Sequence, residues 1–375
     1  MSQLVFSALD HQYMAIALKL AEKGIFSTTP NPNVGCVIVS EDGRIVGRGW
    51  HHKAGTPHAE IHALTMAADE AKNATAYVTL EPCSHTGRTG PCVDALITAG
   101  VKRVIAAMVD PNPNVSGSGL ARLDAAGIEV AHGLLETQAR KLNRGFIKRM
   151  THSRPWVTLK LAASLDGKTA LANGISQWIT DTAARQDVQR HRAMSCAILS
   201  GSGTVLADNP SLNVRYHELG DLQSTIPQHQ LRQPTRVVLD GKNQLQGELK
   251  MFALAGRTIV INRILNMSLP PHVQQIQVAA IGNKLDLQAV MSTLAELEFN
   301  QVWVEAGGIL AGALVEQNLV DELILYQAPK LLGDKGQNLF VMSELTQMSD
   351  AKMLKWSSIK QVGEALKLTA EFDNN

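Results

Sequence analysis

The stretch "HAEIHAL" (residues 58–64), followed by "EPCSHTGRTGPC" (residues 81–92), decides how this 375-residue sequence is interpreted. The chain has only four cysteines, and two of them, Cys83 and Cys92, lie in this one short segment. Four cysteines are too few for a disulfide framework in a chain of this length. A metal site or catalysis is therefore the more economical use of the close pair.

Three side chains in these stretches form a ligand set suited to zinc. His58 opens a predicted helix, Cys83 follows the predicted strand "AYVTL", and Cys92 starts the next predicted helix, whose dipole favours a thiolate. A catalytic zinc needs three protein ligands and an open fourth position for water. Glu60, two residues after His58, is suited to carrying a proton from the attacking water to a leaving amine.

Each of these residues also has a simpler interpretation. A single histidine at a helix start is usually a surface or capping residue, and single cysteines are usually small core side chains. The combination of H-x-E, P-C and a second cysteine is instead the pattern of zinc nucleobase deaminases. A purely structural zinc would want a fourth donor, for which His85 is available. The chain departs from the deaminase pattern because eight residues, rather than two, separate Cys83 from Cys92.

Length and charge limit the class of protein. A chain of 375 residues exceeds the size at which a single core usually stops growing, so two domains are expected. Lys plus Arg (35) balances Asp plus Glu (34), which disfavours a nucleic-acid partner and favours a small molecule. No apolar run is long enough to cross a bilayer, and the N-terminus lacks an export signal. The sequence predicts a cytoplasmic enzyme without a membrane partner.

Helical and strand periods alternate along the chain, which predicts layered α/β units. The first helix is expected over "DHQYMAIALKLAEKG" with Asp10 as its N-cap, and "LETQARKLNRGFIKRM" is expected to form one closing helix. A new series of strands begins after "THSRP", at "WVTLKLAASLDG", and runs as far as "LILYQAP". We therefore predict two unlike domains, residues 1–152 and residues 153–375.

Longer motifs identify a family. The first half of the chain contains the stretches "TTPNPNVGCVIV", "HAEIHAL", "EPCSHTGRTGPC" and "DPNPNVSGSGL". Together they resemble the deaminase half of the bifunctional riboflavin-biosynthesis deaminase/reductases. "KLAASLDGKTA", "SQWIT", "ILSGSGTVLADNPSLNVR" and "VWVEAGG" resemble the reductase half. The resemblance implies an N-terminal three-layer cytidine-deaminase-like domain followed by a C-terminal dihydrofolate-reductase-like domain. It also implies zinc-dependent deamination of 2,5-diamino-6-(5-phosphoribosylamino)pyrimidin-4-one, then NADPH reduction of the ribosyl group of 5-amino-6-(5-phosphoribosylamino)uracil to ribityl.

The resemblance assigns substrate-binding roles in the first domain. His85 and Arg88, in the long loop between the cysteines, are expected to meet the substrate phosphate, although a solvated loop with incidental charge is the alternative. Asn31 is expected to supply an amide to the pyrimidine edge, although asparagine is also an ordinary turn former. "TGPC" stands here where "TPPC" is commoner in the family, so Gly90 makes the loop less rigid.

In the second domain the usual G-x-G-x-x-G dinucleotide motif is missing, so the assignments come from the resemblance. Lys160 is a candidate for polarising or protonating the ribose, with a solvated strand lysine as the alternative. Arg192 and Arg215 suit a phosphate but could also be surface charges, and Trp178 could be a core residue. The residues implied near NADPH are Ala162, Trp178, Thr204, Asp208, Gly307 and Gly308. Those implied near the sugar phosphate substrate are Ser176, Arg192, Leu212, Arg215 and Glu305.

A rival hypothesis is a nucleic-acid or free-nucleoside deaminase fused to a reductase-like domain of other function. It would share His58, Glu60 and the cysteines, but an editing enzyme needs a basic, aromatic-rich surface. Seven Phe, four Tyr and a net charge of +1 offer little of that. The partners expected here are phosphorylated pyrimidines. The family also implies a homo-oligomer, a dimer or tetramer.

Overall fold

The computed structural model describes residues 6–84, 90–113 and 115–373. The chain divides into two compact units, Met1–Ser153 and Arg154–Asn375. This division lies one residue after the boundary predicted between residues 152 and 153. Within the described residues, no helix is both long enough and apolar enough to span a membrane.

The first unit is a five-stranded sheet between two layers of helices. Strand β1 is antiparallel to its neighbours β2 and β3, while β3, β4 and β5 are parallel, in the order β2-β1-β3-β4-β5. Its helices are Ala8–Ala21 (α1), Ala59–Ala67 (α2), Cys92–Thr98 (α3), Ser118–Ala125 (α4), Glu136–Leu142 (α5) and Arg144–His152 (α6). Its strands are Gly35–Val39 (β1), Ile45–Trp50 (β2), Thr75–Val78 (β3), Arg103–Ala106 (β4) and Glu129–His132 (β5).

Alternating residues of β1 supply the two cores of this unit. Cys36 and Ile38 pack in a cluster with the alanines of α2, whereas Val37 and Val39 pack with Met14 of α1 on the other face. Side chains that alternate across a strand produce this division. The predicted three-layer α/β architecture is confirmed, and Cys36 is a buried thiol of the core.

Glycines let the helices approach this sheet closely. A Cβ atom on Gly49 of β2 would lie 2.2 Å from the carbonyl oxygen of Ala59 in α2, and one on Gly47 would lie 2.2 Å from that of Ala63. No side chain fits at such distances, so α2 rests on the backbone of β2. The first turn of α2, which carries Glu60, is thereby fixed against the sheet.

Two predicted helix boundaries were wrong. Ser7 is the N-cap of α1, and Asp10 is the third helical residue, whose side chain bonds back to the Ser7 backbone in a capping box. The predicted closing helix is two helices that meet at Asn143. The Asn143 side chain accepts from the backbone N–H of Asn33 (2.7 Å) and donates to its carbonyl (2.9 Å). This tertiary contact lies at the break between the two helices.

The second unit contains a nine-stranded sheet in the order β11-β10-β9-β8-β14-β6-β15-β18-β17. The strands from β11 to β15 are parallel, and β18 and β17 add an antiparallel edge. Its helices are Thr182–Met194 (α7), Ser202–Asp208 (α8), Leu287–Glu296 (α9) and Gly308–Glu316 (α10). Its strands are Trp156–Ser164 (β6), Lys168–Ala170 (β7), Ala197–Gly201 (β8), Thr235–Asp240 (β9), Thr258–Asn262 (β10), Gln274–Gln277 (β11), Ala280–Ile281 (β12), Lys284–Leu285 (β13), Gln301–Glu305 (β14), Glu322–Ala328 (β15), Gln337–Asn338 (β16), Leu354–Val362 (β17) and Ala365–Phe372 (β18).

The strand order reverses between β8 and β14. From β8 the chain continues to β9, β10 and β11 on one side, whereas β14 is followed by β15 on the other. In open parallel sheets, ligands bind outside the carboxyl ends of the strands at such a reversal. The ends of β8 and β14 are Gly201 and Glu305. The sheet topology therefore points to Glu305, which the resemblance also selected.

Candidate functional site

The three predicted zinc ligands converge in the first unit. His58 Nδ1 lies 3.6 Å from Cys83 Sγ and 3.3 Å from Cys92 Sγ, and the three donor atoms lie within 4.8 Å of one another. A tetrahedral zinc with bonds of about 2.0 Å to nitrogen and about 2.3 Å to sulphur would separate such atoms by roughly 3.5 Å. The donor set therefore fits a zinc ion.

Local structure explains why these donors meet. His58 is the N-cap of α2, and Cys92 is the first residue of α3. Cys83 follows the end of β3, and its Sγ accepts a hydrogen bond from the Cys92 backbone N–H at 3.3 Å. The hydrogen bonds from Cys92 and His58 lower the pKa of Cys83 below that of a free thiol, against the effect of its burial. A thiolate at Cys83 is the form in which sulphur binds zinc.

Glu60 lies in the first turn of α2 and is 3% exposed. Its Oε2 atom is buried and finds no hydrogen-bond partner among the described residues. Burial, reinforced by the charge of Cys83, raises the pKa of Glu60 to about 7. A buried carboxyl with this pKa and an unused oxygen beside the donor set is suited to accepting and returning a proton.

Asn31 is held by a residue that the sequence did not suggest. The Nδ1 atom of His51 lies 3.2 Å from the Pro57 carbonyl, which can only accept, so Nδ1 carries the ring proton. The other ring nitrogen, Nε2, then accepts from Asn31 Nδ2 at 3.1 Å. Burial lowers the pKa of His51 to about 4, which keeps the ring neutral. Among the described residues, no side chain donates to the carbonyl oxygen of Asn31, which is therefore left for another donor.

His51 also connects this pair to the metal donors, since its ring meets the His58 ring edge-on with centroids 5.1 Å apart. The sequence signal that could have identified it is only "WHH" at the end of β2, seven residues before His58. The two predicted phosphate contacts, His85 and Arg88, lie outside the described residues.

In the second unit, Glu305 and Arg192 form a buried ion pair. The Nε and terminal N–H groups of Arg192 donate to the two carboxylate oxygens of Glu305 at 2.6 and 2.9 Å, and a third N–H donates to the Asn213 carbonyl. Trp303 Nε1 donates to the same carboxylate at 2.8 Å. Burial opposes the charge of Glu305, but Arg192 outweighs it and lowers the pKa of Glu305 to about 2.

Lys160 is the neighbour of Glu305 across the β6–β14 pair. Burial lowers the pKa of Lys160, while the charge of Glu305 counteracts part of that effect. Arg215 is bound differently from Arg192, since it pairs with Glu218 at 2.6 Å and about a third of its side chain is exposed. Leu212 is buried with a positive φ of 43°.

Four of the residues assigned to the cofactor lie in α8, directly after β8, or at the start of α10: Thr204, Asp208, Gly307 and Gly308. The backbone N–H of Gly307 donates to the Thr204 hydroxyl at 3.1 Å, which joins the glycine turn to α8. Asp208 ends α8, and burial raises its pKa. A Cβ atom on Gly308 would lie 2.7 Å from the Asn338 carbonyl oxygen, so this position has no room for a side chain.

Trp178 is not a core residue, because its side chain is 65% exposed. The Arg185 guanidinium lies over its ring, 4.6 Å from the centroid, and Lys330 donates to its carbonyl at 2.9 Å. These residues line a cavity of about 260 Å³ together with Asp181. Ser176, two residues earlier, is half-buried, as is Ala162 on β6. Within the described chain, no hydrogen bond joins Ser176 to Arg192 or Arg215.

Known proteins match nearly the whole chain. The model of the cytidine and deoxycytidylate deaminase zinc-binding region matches residues 7–108, and that of the RibD C-terminal domain matches residues 155–368. The riboflavin biosynthesis protein RibD of Escherichia coli (strain K12) is 53% identical over 356 residues, which cover 94% of this chain and 97% of that protein. The chain belongs to the RibD family. It is a bifunctional deaminase/reductase of riboflavin biosynthesis, with hydrolase and oxidoreductase activities.

Solved structures of the RibD family agree with the fold. Acinetobacter baumannii RibD, form 1, superposes with a TM-score of 0.91 at 42% identity and covers 98% of this chain and 99% of its own. The deaminase/reductase from Thermotoga maritima has a TM-score of 0.86 at 35% identity, covering 97% and 99%. The predicted domain types and both activities are confirmed, and the rival nucleic-acid or free-nucleoside deaminase is not favoured. The matches support zinc and a nicotinamide cofactor.

Proposed function

We propose that His58, Cys83 and Cys92 hold a zinc ion and that Glu60 moves the protons of a hydrolytic deamination. The observation that carries this proposal is the convergence of the three donors beside the buried, unpartnered oxygen of Glu60. Zinc, when bound at such a site, makes water acidic enough to act as a nucleophile near neutral pH. Glu60 takes a proton from the attacking water and returns it to the departing amine.

The substrate of this half is 2,5-diamino-6-(5-phosphoribosylamino)pyrimidin-4-one. The Thermotoga maritima relative is a diaminohydroxyphosphoribosylaminopyrimidine deaminase, which supports this choice. Asn31, oriented by His51, offers its carbonyl oxygen to an N–H on the pyrimidine edge. We assign the phosphate to His85 and Arg88, because an imidazole and a guanidinium in the loop between the two cysteines supply the required donors. We propose no nucleic-acid substrate for this half.

The second half reduces the ribosyl group of 5-amino-6-(5-phosphoribosylamino)uracil with NADPH, which supplies the hydride. Lys160 donates the proton that the sugar oxygen needs, and its lowered pKa makes that donation easier. Glu305 stays ionised beside it and orients Lys160 and the sugar hydroxyls. We place Ser176, Leu212 and Arg215 around the sugar phosphate, with Arg192 behind them holding Glu305 in its ionised form.

The cofactor lies across the carboxyl ends of β8 and β14, at the reversal of strand order. Thr204 and the Gly307–Gly308 turn face its phosphates, since α10 begins at Gly308 and the first backbone N–H groups of a helix attract anions. Asp208 and Ala162 border the same crevice. Trp178, exposed over a cavity, covers the nicotinamide end.

We further propose a homo-oligomer, a dimer or tetramer, working in the cytoplasm. Strand β17 lies at the edge of the nine-stranded sheet and exposes Trp356 and Ile359. Exposed apolar side chains on an edge strand are a common place for a second copy to pair. Light scattering after size-exclusion chromatography would measure the mass directly, and a monomer at all concentrations would contradict this part.

The test supplies the full-length protein with the phosphorylated pyrimidine and NADPH, and follows ammonia and the near-ultraviolet absorbance of NADPH separately. We expect Glu60→Gln to abolish ammonia release, whereas the deaminated product, when it is supplied directly, is still reduced. Cys83→Ala should lower bound zinc from about one ion per chain to nearly none. Glu22→Gln, an exposed change in the same unit, should behave as wild type. Full zinc in Cys83→Ala would exclude the ligand set.

A further inference from the structure

Glu81, two residues before Cys83, makes an unusual number of backbone contacts. It is 4% exposed. Its Oε2 atom accepts from the backbone N–H groups of Asp110 and Gly117, both at 2.9 Å. Its Oε1 atom accepts from those of Gly119 at 2.8 Å and Leu120 at 3.4 Å. One carboxylate thus accepts hydrogen bonds from four N–H groups, which lie in the loop between β4 and α4 and in the first turn of α4.

The same helix start touches the chain on both sides of Cys83. A Cβ atom on Gly119 would lie 2.1 Å from the Pro82 carbonyl oxygen, so the first turn of α4 rests directly on the peptide that leads into Cys83. On the other side, the hydroxyls of Ser84 and Ser118 are 2.7 Å apart. Cys83 is therefore held between two contacts with α4.

A second connection reaches the other cysteine. Arg122, one turn along α4, donates to the Ser84 carbonyl at 3.2 Å and forms an ion pair with Asp94, two residues after Cys92. Helix α4 therefore contacts the segments that follow both thiol ligands. Glu81 contributes the most buried of these contacts, because Arg122 and Asp94 are about half exposed.

We propose that Glu81 is a positioning residue of the metal centre. Its hydrogen bonds to the start of α4 fix the Pro82–Cys83 peptide. The Cys83 thiolate therefore already faces His58 and Cys92 before a metal binds. This inference rests on the proposed zinc ligand set. Groups that orient a metal ligand from outside the coordination sphere raise metal affinity, because less order has to be created on binding.

The chemistry requires a carboxylate at this position. Four N–H donors converge on two oxygens, and a carboxylate has the lone pairs to accept all of them. An amide of the same shape would turn its own N–H₂ group toward two of those donors. Glu81→Gln therefore keeps the volume of the side chain, but its N–H₂ group repels two of the four backbone N–H groups. The start of α4 should then move away from Cys83.

The experiment measures metal binding in the full-length protein. The zinc dissociation constant is obtained by competition with a chromophoric chelator, and the Co²⁺ form is examined for its thiolate charge-transfer and ligand-field absorption. We expect Glu81→Gln to weaken zinc binding by about 10- to 100-fold and to alter the Co²⁺ spectrum. The matched control is Asp10→Asn, which changes a buried carboxylate held by Tyr77 and Ser7 in the same unit. It should lower thermal stability and leave both metal readouts unchanged.

Two further variants separate the possible failures. If Cys83→Ala bound zinc as tightly as wild type, the ligand set itself would be wrong. If Cys83→Ala lost zinc while Glu81→Gln kept wild-type affinity and spectrum, only the positioning role would be overturned. Gly119→Ala disturbs the contact between α4 and the Pro82–Cys83 peptide from the helix side. If Glu81→Gln does not fold, the metal readouts are measured on Gly119→Ala instead. Wild-type metal readouts in folded Gly119→Ala would equally refute the proposal.

Discussion

Replacing Glu305 by Gln tests how much the ion pair with Arg192 contributes to the free energy of unfolding. The side chains of Arg192 and Glu305 are only 9% and 16% exposed, and two hydrogen bonds join them. Glutamine keeps the shape of the side chain but removes its charge. Arg192 would then remain buried without a counter-ion, which is far more costly than losing an exposed salt bridge.

The loss of unfolding free energy in Glu305→Gln can be calculated in two ways. Breaking a buried ion pair from one side typically costs about 3 to 5 kcal/mol. Separately, the pKa of Glu305 is about 2 in the folded protein against an ordinary value of 4.5. A difference of about 2.5 at about 1.4 kcal/mol per pKa unit corresponds to about 3 kcal/mol. Because the folded-state pKa is depressed, this stability is present above pH 4.5 and is lost as the pH falls toward 2.

The assay is urea unfolding at neutral pH, followed by a probe in the second unit. We expect Glu305→Gln to lose about 3 kcal/mol of unfolding free energy, and the difference from wild type to shrink below pH 4.5. Glu248→Gln, an exposed change in the same unit, should stay within about 0.5 kcal/mol. An unchanged free energy of unfolding in Glu305→Gln would show that Arg192 does not depend on this carboxylate.

Three further changes have defined outcomes. Trp303→Phe removes the N–H donor to Glu305 and should cost about 2 kcal/mol in urea unfolding, since hydrogen bonds to charged groups contribute about 1.5 to 3 kcal/mol. Lys160→Met should slow NADPH oxidation by about 100-fold or more with ammonia release unaffected, as expected for a lost proton donor. Gly49→Ala would place a methyl 2.2 Å from the Ala59 carbonyl, so it should lower the unfolding free energy by about 1 to 3 kcal/mol and reduce deamination more than reduction.

The metal donors could be predicted from sequence because each sits at a helix start or strand end with a local motif. His51 could not, since its role depends on Asn31, twenty residues earlier, and on the Pro57 carbonyl. The same holds for Glu81, whose four partners lie about thirty to forty residues further along the chain. Contacts between a side chain and a distant backbone leave no periodic pattern in the sequence.

Helix and strand assignments failed where tertiary contacts override local preference. Residues 136–152 have helical periodicity throughout, but the side chain of Asn143 binds the Asn33 backbone where the helix breaks. The hairpin of β17 and β18 was missed for another reason. Lysines and apolar residues alternate irregularly there, and most of β17 is exposed on both faces. A strand without one buried face has no clear period of two.

The two arginines that the family resemblance assigns to the substrate have different freedom to bind it. Arg192 is 9% exposed and directs three of its five N–H groups to Glu305 and to the Asn213 carbonyl, so it would have to break a buried ion pair to take a phosphate. Arg215 is 35% exposed, and its partner Glu218 is three residues away on the same 3₁₀ turn. Exposed pairs of this kind exchange at little free-energy cost. We therefore propose that Arg215 recognises the phosphate more readily than Arg192 does, and that Arg192 keeps Glu305 ionised beside Lys160.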